Sequence, residues 1–117
     1  MTKYKRDLVL TKIKKIFPHE APSTIMSILD LCNSSDKNEE GRVRIQLAIL
    51  KLCQGKIDKL KHYIEIAKSD YRDVIGPAEY PRAWKIGFVG TSKLDKSARQ
   101  RLIEEDLRQY QDWLNND

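Results

Sequence analysis

Residues 39–54 read EEGRVRIQLAILKLCQ and close on Gly55, and this stretch decides the fold. Laid on a helix of about 3.6 residues per turn, Val43, Ile45, Leu47, Ala48, Ile49, Leu50, Leu52 and Cys53 surround almost the whole circumference. A helix that is apolar on every side has to be enclosed by others. Gly55 is the residue that most easily takes the left-handed conformation closing a helix. Residues 43–53 are therefore predicted to be the most buried run of the chain, with the other helices arranged about them.

Upstream, residues 3–17 gather Val9, Leu10, Ile13, Ile16 and Phe17 into an arc of about 120°, with Lys5, Lys12, Lys14 and Lys15 outside it. Pro18 stops this helix. Pro22 suits the first turn of a second one, over 22–33, which carries Ile25, Met26, Ile28, Leu29, Leu31 and Cys32 before the polar run Asn33 to Asn38. Downstream, Ile57, Leu60, Tyr63, Ile64, Ala67, Tyr71, Val74 and Ile75 hold one phase, which predicts a single long helix over 57–75 ended by Gly76-Pro77.

Residues 76–92 lack helical phase. With Gly76, Gly87, Gly90, Pro77 and Pro81 they read as an irregular connector, tied down by Tyr80, Trp84, Ile86, Phe88 and Val89 packing along the helices. A last helix over 93–114 starts near Ser92 or Asp95, either of which can accept from the free amides of a first turn. The expected fold is all-α: four main helices and a long C-terminal one, packed around 39–54 in a single domain of 117 residues with no internal repeat.

Charged residues make up 33% of the chain and apolar ones 40%, which excludes a disordered or fibrous protein. No window is apolar and long enough for a membrane span or a signal peptide, so a cytoplasmic location is expected. Cys32 and Cys53 lack the paired spacing of a metal knuckle or redox motif and read as buried, reduced thiols. The net charge of +5 sits mostly in residues 1–20, where six Lys/Arg face only Asp7 and Glu20. Lys5, Lys12 and Lys15 are thus the candidate basic patch for phosphates, nucleic acid, anionic lipid or an acidic partner. Without a recognisable reading element, a solvated basic face is the plainer account.

The most distinctive polar cluster is Asp70-Tyr71-Arg72-Asp73 with Glu79-Tyr80. Carboxylates late in a helix meet its crowded carbonyls, so a partner is required, and Arg42, Arg44, Arg72 and Arg82 are the candidates for Asp70. A structural ion pair is the favoured reading. The sharper alternative makes Asp70, Asp73 and Glu79 a site for a hard cation or for acid-base work, but no histidine, phosphate loop or nucleophile accompanies them. The run Gly87 to Lys93 has the wrong order for a phosphate loop. No metal, cofactor or small-molecule ligand is expected.

On the last helix, Arg99 and Asp106 fall inside an apolar arc that also holds Tyr110 and Trp113. Either the two charges meet polar groups of the 70–79 region, or the wide face with Tyr110 and Trp113 contacts a second subunit.

The residues Arg42-Val43, Leu47 to Leu52 and Gly55, then Ala67, Asp70-Tyr71-Arg72-Asp73-Val74, Ala78-Glu79-Tyr80-Pro81, Glu105-Asp106, Gln109-Tyr110 and Trp113-Leu114 resemble a pattern of small uncharacterised bacterial proteins, cyanobacterial ones included. The resemblance covers roughly residues 42–117. It implies a bacterial cytoplasmic protein and brings no activity. The expected role is a non-enzymatic interaction or regulatory module, with a protein partner or self-association as a homodimer. Weak binding of nucleic acid or an acidic partner, and an enzyme or metal site at Asp70, Asp73 and Glu79, are the alternatives.

Overall fold

The fifteen residues of α3 (Glu39–Cys53) begin where Asn38 accepts the Gly41 amide at 2.7 Å, a side-chain cap on a free first-turn donor. They end where Gln54 and Gly55 both turn left-handed, at φ 54° and 74°. Val43, Ile45 and every residue from Gln46 to Leu50 are buried. The computed structural model describes residues 5–32 and 38–115, and the fold is all-α, with no strand among the described residues. Residues 1–4, the polar run at 33–37, residues 116–117 and the Phe88 side chain lie outside them.

By its contacts the chain divides into two compact units, Met1–Ile75 and Gly76–Asp117. In the first, α3 packs against α1 (Arg6–Ile16) and α4 (Ile57–Ser69), and α2 (Pro22–Leu29) packs on α1 before a 3-10 helix at Asp30–Cys32. Pro22 occupies the first turn of α2, where its missing amide hydrogen is not needed. Val9, Ile13, Phe17, Ile25, Leu29, Leu60 and Ile64 complete the core. A polar link lies at its edge: the Asp30 carboxylate accepts from both guanidinium nitrogens of Arg6, at 3.2 and 2.9 Å, and from the Gln46 amide at 3.1 Å. The same hydrogen bond pushes the Arg6 pKa up. Cys32 and Cys53 are buried free thiols, and burial pushes Cys32 up to about 11.

Two expectations about the middle of the chain are corrected. The helix expected over 57–75 stops at Ser69. Asp70 is extended, at φ −157° and ψ 107°, and α5 (Arg72–Glu79) starts afresh beyond it. The Asp70 carboxylate accepts the Arg72 amide at 3.0 Å and gives that new first turn its acceptor. The apolar phase survived the break because Val74 resumes it.

The irregular connector expected over 76–92 is helical along most of its length. Pro77 is accommodated inside α5, and Pro81 opens α6 (Pro81–Ser92) from the first turn, where a fixed φ favours helix. The glycines serve close approach instead of irregularity. A Cβ on Gly76 would lie 2.2 Å from the Trp84 ring, and one on Gly90 would lie 2.4 Å from Ile86 Cγ2. Gly87 alone leaves helical geometry, at φ 83° and ψ 171°, and kinks α6. In the second unit α6 packs against α7 (Lys96–Asn115), whose first turn Asp95 caps by accepting the Ala98 amide at 2.7 Å.

Candidate interaction surface

The polar residues singled out on α7 turn out to hold α6. Asp106 is fully buried, and its two carboxylate oxygens accept the backbone amides of Arg82 at 3.3 Å and Ala83 at 3.0 Å, donors that a helix opening leaves unsatisfied. At the other end of α6, Arg99 donates to the carbonyls of Thr91 at 3.3 Å, Ser92 at 3.4 Å and Leu94 at 3.0 Å. A carboxylate thus sits at the positive end of α6 and a guanidinium at its negative end, both favourable placements against the helix dipole. Arg82 also pairs with Glu105, and Gln109 donates to the Ala78 carbonyl at 3.2 Å.

This arrangement answers half of the sequence reading of α7. Arg99 and Asp106 meet backbone groups of α6 in place of side chains of the 70–79 region. Tyr110 is buried and stacks on Trp113 with ring centroids 5.6 Å apart, and Trp113 remains half-buried. Of the four residues offered as an interface, Asp106 and Tyr110 are therefore inside the chain.

Asp70 takes its arginine from two residues away. Arg72 Nε and Nη2 donate to the two carboxylate oxygens at 3.0 and 2.9 Å, and this pairing holds the Asp70 carboxyl below the usual range. Tyr71, Arg72 and Asp73 are exposed, whereas Glu79 is buried and Tyr80 half-buried. Among the described residues no three His, Cys, Asp or Glu side chains gather as metal ligands. In the first unit a cleft of about 660 Å³ lies between the turn after α1 and the start of α4, where Lys56, Lys59 and His19 are offset by Glu20 and Asp58.

The basic patch is corrected as well. Lys5 and Lys15 are exposed, but Lys12 is only 2% exposed. It lies three residues after Val9 and four before Ile16, at the border of the apolar stripe, where a lysine stem covers apolar surface.

What the sequence reading missed is on α6. Trp84, Ile86 and Val89 were expected to attach the connector to the helices: Trp84 does pack its ring over Gly76 yet stays 48% exposed, while Ile86 and Val89 are 47% and 64% exposed, and Leu107 on α7 is 39% exposed. Little in the sequence signalled it, since Arg82 and Lys85 are the only charged residues of α6. The chain matches no protein-family model, no curated protein and no solved structure.

Proposed function

We propose that this chain is a non-enzymatic interaction or regulatory module of the bacterial cytoplasm, working through the exposed face of α6. The observation that carries the reading is the exposure of Trp84, Ile86 and Val89 on one short helix whose two ends are fastened by Asp106 and Arg99. Isolated exposed aliphatics are ordinary, but three large exposed apolar side chains within six residues, on a segment fastened at both ends, mark a contact surface. The rival chemistry at Asp70 has less to stand on, because Arg72 already occupies both carboxylate oxygens. The basic-helix alternative loses Lys12 to the interior. Self-association through α6 would bring Lys85 and Arg82 of two copies together, so a partner of different charge suits it better.

The test is affinity capture from the native host, comparing the wild-type chain with Ile86→Asp and Val89→Asp. Material retained by the wild type and lost from both variants is the expected result. Identical retention by all three would sink the reading.

A further inference from the structure

The second unit, Gly76–Asp117, is about forty residues long, a size at which a chain usually needs a disulfide, a metal or a partner to hold its fold. Both cysteines and both histidines belong to the first unit, so neither a disulfide nor a thiolate or imidazole metal site braces the second. Among its described residues the buried apolar side chains are Ala78, Tyr110 and Leu114, while Trp84, Ile86, Val89 and Leu107 stay exposed. The first unit, by contrast, buries Val9, Ile13, Ile25, Leu29 and most of α3.

What holds the second unit is largely polar. Asp106 accepts the amides of Arg82 and Ala83, Arg99 donates to the carbonyls that end α6, Arg82 pairs with Glu105, and Gln109 donates to Ala78. Water takes over each of these bonds when the unit opens, so their net contribution is small, whereas an enclosed apolar side chain has no such substitute.

We propose that Gly76–Asp117 is an opening element: α6 and α7 unfold and refold together while the core around α3 keeps its fold. Stability is not uniform along a chain, and units with few enclosed apolar side chains open first. The exposed face of α6 then exists in the closed state alone, so whatever shifts the opening also switches that face on or off. This switching rests on the proposed reading of α6 as the contact face; the opening itself does not.

The experiment is native-state amide hydrogen exchange on the full chain, at denaturant concentrations below its main transition. The slowest amides of α6 and α7 are expected to exchange faster than those of Leu47 to Leu50 by about a hundredfold or more, with a denaturant slope about a third to a half of theirs. Ile25→Val, a mild change inside the first unit, should speed exchange at Leu47 to Leu50 about two- to tenfold and leave α7 within about twofold, because the opening of α7 keeps that core intact. One rate and one slope shared by α3 and α7, or equal acceleration of both by Ile25→Val, would make the chain a single cooperative unit and overturn the proposal. A slope near zero throughout α7 means fraying residue by residue and overturns it as well. Affinity capture with Ile86→Asp and Val89→Asp reads the α6 face alone, so the contact face and the opening can fail separately.

Discussion

Asp106 satisfies two backbone amides from a position that solvent does not reach. Asp106→Ala removes a cap and strands both donors, and should destabilise the protein by about 1–3 kcal/mol. Asp106→Asn keeps one acceptor oxygen and should lose less. Chemical denaturation of the three proteins, with amide exchange at Arg82 and Ala83, checks the order; equal losses would show that capping is not the cause. Asp70 differs in being open to water. Because Arg72 lowers its folded pKa below the unfolded one, the contribution of the pair is complete above the ordinary carboxylate range and fades as pH falls through the folded value. Asp70→Asn should therefore lower the thermal midpoint at pH 7, with the gap to wild type closing toward pH 3. A gap independent of pH would contradict the pairing.

At the scale of elements, Gly87 separates backbone preference from packing. Its φ of 83° with ψ of 171° is a region that L-residues avoid, yet nothing lies within 4 Å of where a Cβ would stand. Gly87→Ala should thus lose about 1–3 kcal/mol through the backbone alone. D-alanine placed there by chemical synthesis should match glycine in denaturation; equal losses from the two enantiomers would refute the backbone origin. The element boundaries also mark where sequence was legible. The caps at Asn38 and Asp95 and the proline opening α2 are local chemistry, readable from neighbours a few residues away. The stop at Ser69 was readable in principle, since Asp70 is a helix-opening residue followed by an acid in the next first turn, but the apolar phase across 57–75 outweighed it. Gly76 and Gly90 misled because a glycine demanded by a side chain packed over it looks in sequence like one that breaks a helix.

For the whole molecule, the enclosure of α3 was legible because apolar residues on every side of a helix allow no other placement, and the structure buries 45–50 without a gap. Amides of Leu47 to Leu50 should exchange more slowly than any in α1 or α2, and Leu50→Ala should destabilise the protein by about 2–5 kcal/mol; fast exchange there would be fatal to the account of the core. The exposed apolar side chains of α6 were not legible in the same way. Exposure of Trp84, Ile86 and Val89 follows from which side of α6 meets α7, and that is set by Asp106 and Arg99, which lie 23 and 8 residues downstream of Ala83 and Thr91. Those two anchors stand seven positions apart on α7, close to two full turns, and each added or deleted residue between them would swing one anchor by about 100° around the helix. Gln100, Arg101 and Glu104 in that interval are exposed, so their identity should matter less than the spacing they keep. In descendants of this sequence the exposed letters between 99 and 106 should drift sooner than their number.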